Sequence, residues 1–373
     1  MNICSPEGIR KTADSHNVIK DILIGKSFEK EKYNSKLIGV FGESGKSILV
    51  EMLQSVFNRR DDSRMKLGIM PIAINTSENI LFYLENMSFD SVILTDSGNK
   101  PAADIISAFS EKVTVIMNND EYQNINRFIT YGLNQKAVVT ASSIDVDEIT
   151  CFNYCVQKSF YTGSGKRIDP FEVPVHLHIL GGHSIYYALA AITCGLYYDI
   201  DIKSIKESIE DYKTSSRHLE KIYEGDFTVI DDYCKSVHDY TTAFDSIQIL
   251  NYDNLILVIS VTGDMNPGFH EEKAVLIAEW VKILKCKKVI LTNCMDRDSN
   301  IGELPLKSIR IYKKVFEEND VSFRYYHLLH YAVEKGLSLL NSNDLMVLLG
   351  SEEMNAASRI VNKLLGSVKK KKN

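Results

Sequence analysis

The chain lacks the marks of several protein classes. No eighteen apolar residues run together anywhere in its 373 residues, and Met1 to Lys36 holds no apolar stretch of signal-peptide length, so neither a membrane span nor secretion is expected. Its seven cysteines (Cys4, Cys151, Cys155, Cys194, Cys234, Cys286, Cys294) are odd in number and never paired as C-x-x-C, which argues against a disulfide framework or a zinc site. Reduced thiols in a cytoplasmic protein are expected. A broad basic field is missing too: the net charge is −6, which makes nucleic acid a poor partner. The run Lys369 to Lys372 is a local exception, and without aromatic or amphipathic company it reads as a solvated basic tail, residues 366–373. No internal repeat or low-complexity linker is visible. What remains, 45% hydrophobic and 25% charged, is an ordinary globular composition in a chain too long for one comfortable core, so two domains are expected.

The most informative stretch is Lys36-Leu-Ile-Gly-Val-Phe-Gly-Glu-Ser-Gly-Lys-Ser47. Leu37, Ile38, Val40 and Phe41 form a short apolar run of strand type, and Ile48, Leu49, Met52, Leu53, Val56 and Phe57 recur afterwards at helical spacing. The glycines therefore fall at a helix N-terminus, where free backbone N–H groups and the helix dipole favour an anion. Gly42, Glu43, Ser44, Gly45, Lys46 and Ser47 would form a phosphate-binding loop, with Lys46 on a terminal phosphate and the Ser47 hydroxyl on Mg²⁺. The ligand expected is ATP. Gly39 and Gly42 give Gly-x-x-Gly-x-x-Gly-Lys-Ser rather than the common spacing, because position 40 is Val. The alternative is a glycine-rich turn with an exposed lysine.

Strands and helices then alternate. Phe89 to Thr95 and Lys112 to Met117 read as strands around a helix from Ala102 to Phe109, with a further apolar run at Ala137 to Thr140, which suggests a mostly parallel α/β sheet. From Ile149 to Ile179 the pattern is short, aromatic and β-rich, as for hairpins decorating the same domain. After Gly181-Gly182, Ile185, Leu189, Ile192 and Leu196 line one helix face, and Asp201 caps a second helix. A second β/α series starts with the strand Phe227 to Ile230. It continues through Thr241–Leu250 (helix), Leu255–Val261 (strand), Glu271–Leu284 (helix), Lys288–Thr292 (strand), Leu306–Glu318 (helix), Tyr331–Leu340 (helix) and Leu345–Leu349 (strand). The fold class expected is α/β: a P-loop-type, mostly parallel sheet domain over 37–216, then a smaller Rossmann-like domain over 217–365. An exposed hinge is expected at Ser215 to Glu220. Tyr325-Tyr326-His327 and His330 read as packing or surface residues, and His176, His178 and His183 as strand and loop histidines. Cys234, beside Asp232 and Lys235, has no base–acid pair to make it catalytic.

These motifs together resemble the Mur ligases, ATP-dependent enzymes that join an amino acid to a carboxylate in peptidoglycan synthesis. Gly39 to Ser47 is similar to that family's Gly-x-x-Gly-x-x-Gly-Lys-Thr loop, and Gly182-His-Ser-Ile-Tyr-Tyr-Ala-Leu-Ala-Ala191 to its His-Asn-x-x-Asn-Ala-x-Ala-Ala helix. Tyr212 to Arg217 resembles its Pro-Gly-Arg hinge, and Val229-Ile-Asp-Asp-Tyr233 its Asp-Tyr-Ala-His strand end. Thr130-Tyr-Gly132, Thr262-Gly-Asp264 and Arg297 resemble features of the branch that adds the third peptide residue.

The resemblance implies a mechanism in which ATP phosphorylates a carboxylate and an amine attacks the acyl phosphate. Lys46, Arg217 and Asp232 would be catalytic, with Tyr187, Arg217 and Asp232 also at the nucleotide, Ser47 and Asp96 at Mg²⁺, and Arg297 at the substrate. Arg217 has the alternative of an exposed end-of-helix cation, and Asp232 that of a strand-end turn residue. The sequence also departs from the family. Asp96 in Thr95-Asp96-Ser97 stands where the family has a metal-binding glutamate. Its Asn-x-x-x-Asp-His segment and carbamylated lysine have no counterpart between Lys100-Pro101 and Val113–Asp120, and Ser184 and Tyr187 replace the helix asparagines. Only 36 residues precede the P-loop strand, against a whole substrate-nucleotide domain in the family. Two functions are therefore expected as alternatives: a carboxylate–amine ligase acting on small substrates, or an ATP-binding pseudo-ligase that regulates or scaffolds, with a protein partner supplying the missing function.

Overall fold

A computed structural model describes residues 36–42, 45–59, 67–73, 87–96, 113–121, 128–146, 149–214, 217–261, 266–284, 286–295 and 306–372. They gather into two compact units. The first comprises the described residues through Ile144 with Cys151–Leu177 and Ile185–Tyr212; the second comprises Asp145–Thr150, His178–Ser184 and the chain from Lys213 onward.

In the first unit the elements run β1 (Lys36–Gly42), α1 (Lys46–Asn58), β2 (Leu67–Ala73), β3 (Ser91–Leu94), β4 (Thr114–Asn118), β5 (Ile129–Tyr131), β6 (Val139–Val146), β7 (Thr150–Val156), β8 (Phe160–Tyr161), β9 (Arg167–Ile168), β10 (Phe171–Leu177), α2 (Ser184–Tyr197) and α3 (Ile202–Glu210). Eight strands form one sheet in the order β10-β7-β6-β5-β4-β3-β1-β2, and the pairings from β2 through β1, β3, β4 and β5 to β6 are all parallel. β3 is buried at every position, as expected of a parallel strand covered on both faces, whereas β7 alternates buried and half-buried residues, as expected where one face meets solvent. The decorating hairpins thus extend the main sheet, and only β8 and β9 pair off as a separate antiparallel ladder. The expected helix over 102–109 lies outside the described residues.

α1 buries Leu49, Met52, Leu53 and Val56 of the stripe its spacing predicts, together with Val50, while Ile48 and Phe57 at the stripe's ends are half-buried. α2 is apolar nearly all round: Ala188, Leu189, Ala190, Ala191, Ile192 and Cys194 have no exposure. Such a helix is stable only as a core element. Asp201 caps α3, accepting hydrogen bonds from the Lys203 and Ser204 amides at 3.0 and 3.1 Å.

The second unit contains β11 (Glu220–Glu224), β12 (Thr228–Tyr233), α4 (Val237–Gln248), β13 (Leu255–Ser260), α5 (Pro267–Ile283), β14 (Cys286–Met295), α6 (Leu306–Glu318), β15 (Phe323–Leu328), α7 (Leu329–Leu337), β16 (Leu345–Gly350) and α8 (Ala357–Lys372). Its strand order is β11-β12-β16-β13-β14-β15, parallel from β12 through β15, with β11 antiparallel at one edge. β13 and β16 are buried at every residue. One face of the sheet packs Leu257 and Ile259 with Phe244 of α4, Ile277 of α5 and Phe316 of α6; the other packs Ile256 and Val258 with Val333 of α7 and Val361 of α8. The protein is therefore α/β, with a large mostly parallel sheet and a second Rossmann-like sheet.

The exposed hinge expected at Ser215–Glu220 is corrected in its described part. Arg217 is 7% exposed, and His218, Leu219 and Glu220 are half-buried. The reason is local: this segment leads into edge strand β11, and its one arginine is drawn inward by a buried acid.

Candidate functional site

In a parallel sheet the C-terminal ends of the strands form a rim of loops, and ligands bind there because helix N-termini converge on it. At this rim β1 runs directly into the glycine loop. Gly45 adopts φ +67°, a left-handed conformation natural to glycine, and it is also the residue before the first turn of α1, so no side chain caps that helix end. Lys46 and Ser47 open the helix. Lys46 is half-buried and its Nζ donates to the Gly42 carbonyl at 2.7 Å, while Ser47 is exposed. Glu43 and Ser44 lie outside the described residues.

β3, the neighbour of β1, delivers Asp96 to the same place. A methyl group added to Gly42 would lie 2.8 Å from Asp96 Oδ2 and 1.8 Å from Thr95 Oγ1. Only a glycine lets the loop and this carboxylate approach so closely. Thr95 fixes the arrangement: its amide donates to the Phe41 carbonyl at 2.9 Å, and its hydroxyl donates to Asp96 Oδ2 at 2.8 Å. Tyr131 braces β3 from β5, donating its phenol to the Leu94 carbonyl at 3.2 Å. A carboxylate and a serine hydroxyl beside a glycine loop at a helix N-terminus suit Mg²⁺, which takes one or two protein oxygens and completes its shell from other oxygen ligands and water. Among the described residues no group of three or more His, Cys, Asp or Glu side chains is placed to hold a metal ion, so any metal here would depend on that shared shell.

α2 supplies the third side of the rim. The Tyr187 ring lies against Gly45, so that a Cβ there would stand 2.1 Å from the phenol oxygen. One residue earlier, Tyr186 donates its hydroxyl to Asp120 Oδ2 at 2.9 Å. Burial first, and then that bond, raises the Tyr186 pKa. Asp120 also accepts the Leu133 amide at 2.7 Å and the Asn134 amide at 2.9 Å, pinning the turn after β5. Sequence reasoning passed over Asp120 and Tyr186. The only local signal was an acid at the end of an apolar strand.

The remaining expected site residues belong to the second unit. Arg217, with φ +66°, pairs through Nε with Asp231 at 3.1 Å and donates to the carbonyls of Ser351 (2.6 Å) and Gly350 (2.5 Å) and to Asn355 Oδ1 (2.8 Å). It is therefore not the exposed helix-end cation that the sequence left open. Asp232 accepts the Leu219 amide at 2.8 Å and the Cys234 thiol at 3.2 Å. Burial pushes both aspartates up to about 6, outweighing Arg217 at Asp231 and the Leu219 amide at Asp232. Cys234 is itself buried, and burial followed by the charge of Asp232 drives its thiol well above the ordinary value, the reverse of a nucleophile. The five cysteines with described side chains are free thiols. Arg297 lies outside the described residues.

A glycine loop at a parallel-sheet rim, followed by a Rossmann-like sheet, defines a two-unit α/β protein of P-loop type. No family model matches the chain. UDP-N-acetylmuramate–L-alanine ligase of Aquifex aeolicus is 29% identical over 200 residues, covering 52% of this chain and 41% of that protein. The chain thus spans well under half the length of that relative. Among solved structures, the L-alanine ligase of Thermotoga maritima superposes with a TM-score of 0.69 at 12% identity, covering 97% of this chain and 84% of its own. MurF from Thermotoga maritima, solved in complex with ADP, gives 0.66 at 12% identity, covering 98% and 88%. By sequence over part of its length and by fold over nearly all of it, the chain is similar to Mur ligases. The names matched here by sequence are L-alanine ligases, a different branch from the third-residue ligases that Thr130–Gly132, Thr262–Asp264 and Arg297 suggest. Among the described residues no helix is long and apolar enough to cross a membrane.

Proposed function

We propose that the first unit binds ATP with Mg²⁺ at Gly42–Ser47, and that the protein is an ATP-dependent carboxylate–amine ligase. The observation that carries this is the Asp96 carboxylate set against Gly42, beside a helix end that has no side-chain cap. Bound nucleotide would supply the phosphoryl group that activates a carboxylate. The backbone amides at the start of α1 would hold the phosphates and Lys46, leaving the Gly42 carbonyl, would balance their charge. Ser47 and Asp96 would hold the Mg²⁺, with Thr95 and Tyr131 fixing Asp96 in place. Arg217 and Asp232 fit better as residues that build the second unit than as nucleotide contacts, because their polar atoms are engaged within it.

Titration calorimetry tests the binding half. Lys46→Ala should lose about 1.5–3 kcal/mol of ATP affinity, and Asp96→Asn should abolish the Mg²⁺ dependence of binding. Wild type that binds no ATP, or an Asp96→Asn variant with unchanged Mg²⁺ dependence, refutes the assignment. The ligase half is tested by carboxylate-dependent scrambling of oxygen isotope in ATP. ATP binding with no such exchange across a panel of carboxylates and amines would return the protein to the regulatory reading.

A further inference from the structure

Resting on the nucleotide reading of the glycine loop, we propose that Asp120 and Tyr186 are positioning residues for that loop. They fix the first turn of α2 so that Tyr187 closes on Gly45.

The geometry is a continuous set of contacts along one sheet rim. β1, β3, β4 and β5 lie side by side and parallel, so the glycine loop, Asp96, Asp120 and Gly132 follow one another along it. Asp120, just past β4, binds two amides of the turn after β5 and the phenol of Tyr186, so its two oxygens serve three donors. Gly132 is glycine for this reason: φ is +154°, and a Cβ would stand 2.9 Å from Asp120 Oδ1. With three donors on its oxygens, Asp120 has little capacity left for a metal ion. Its place is as a post, rooted in β4 and the β5 turn, to which α2 is fastened.

Successive helical residues point about 100° apart around the axis, so a helix held by Tyr186 on one side presents Tyr187 to the neighbouring side. That side is the glycine loop. Gly45 is the residue whose left-handed turn aims the amides of α1, and the Tyr187 ring occupies the space into which a side chain at Gly45 would grow. A loop held in one conformation before its ligand arrives loses less entropy on binding, which appears as affinity. Tyr186→Phe removes one hydroxyl, keeps the ring, and should loosen the turn without emptying the core.

The test uses the full chain and measures ADP and ATP dissociation constants by calorimetry, together with amide exchange at residues 45–49. Tyr186→Phe should bind about fivefold to tenfold more weakly and exchange faster there, and Asp120→Asn should shift both in the same direction. In the Tyr187→Ala background, Tyr186→Phe should have no further effect on affinity, because the route through Tyr187 is already cut. A purely structural role would lower the melting temperature and leave affinity and loop exchange unchanged, and that result overturns the proposal. So does an undiminished effect in the Tyr187→Ala background. If wild type binds nucleotide and Lys46→Ala weakens it while both Tyr186→Phe and Asp120→Asn bind normally, the positioning role fails and the loop assignment survives. No binding by wild type sinks both.

Discussion

At the rim of the first sheet Lys46 and Asp96 keep part of their side chains in solvent, whereas at the rim of the second Arg217, Asp231, Asp232 and Lys273 are exposed by 7%, 0%, 8% and 4%. The second set is also densely engaged within its own unit. Arg217 reaches an acid, two carbonyls and an amide side chain, and Lys273 donates to the Ser260 carbonyl at 2.9 Å with its ammonium 4.0 Å from the centre of the Tyr240 ring. The first rim instead leaves a helix end without a side-chain cap and fits its glycines around a carboxylate and a tyrosine. A charge at a strand end therefore says little by itself. Burial separates a group that can face a ligand from one that knits a domain.

The comparison breaks most directly at Arg217. Arg217→Met would leave the Asp231 carboxylate buried without its ion partner and strip donors from two carbonyls, at an expected cost of about 3–5 kcal/mol. The only tryptophan, Trp280, stacks on Phe244 in the second unit, so its fluorescence during urea denaturation reports that unit. Unchanged stability with a fall in nucleotide affinity would make Arg217 a ligand contact after all.

Asp232 sharpens the comparison through pH. Its folded pKa, near 6, lies above the ordinary 3.8, so between about pH 4 and pH 6 the unfolded chain ionises first and folding loses stability as pH rises. Asp231 acts in the same sense. Glu210 and Asp344, where burial is outweighed by the donors Lys206 and Asn254, act oppositely, so the informative quantity is the variant against wild type. Asp232→Asn should gain roughly 1–3 kcal/mol relative to wild type across that window and hold it at pH 7. A difference that does not vary with pH would mean the carboxylate is already ionised in the fold.

The smallest effect belongs to the first rim. Tyr131→Phe removes one hydrogen bond to the Leu94 carbonyl and should cost about 0.5–1.5 kcal/mol. Hydrogen exchange at Val92–Leu94 should report it, and no change there would show that Thr95 alone holds Asp96.

Much of the fold is legible because its signals are local. The apolar run 37–41, the glycines and the 3.6-residue stripe of α1 sit side by side in the chain, and α6 occupies the interval its spacing predicts. β15 escaped because Phe323–Leu328 shows neither alternation nor full burial: as an edge strand it pairs only with β14, so it reads as loose aromatic residues. β11, the opposite edge, falls almost wholly between the expected hinge, which ends at Glu220, and the strand expected from Phe227, an interval to which the sequence assigns no element. The site divides the same way. Asp96 is readable as the acid after a buried strand, whereas Asp120 and Tyr186 acquire meaning only by meeting across 66 residues, and Arg217 by meeting groups up to 138 residues later. No periodicity encodes such a meeting.

The strand order of the second unit has a consequence for biogenesis. β16, later in the chain than every other described strand, occupies the place between β12 and β13, which are made more than eighty residues earlier. Until Leu345–Gly350 emerges, those two strands have no partner for their facing edges, and the nascent sheet presents two open hydrogen-bonding templates of the kind that invite aggregation. A chain stalled at residue 340 should therefore resist protease across the first unit and be digested across the second. One stalled far enough downstream to expose β16 should be protected in both.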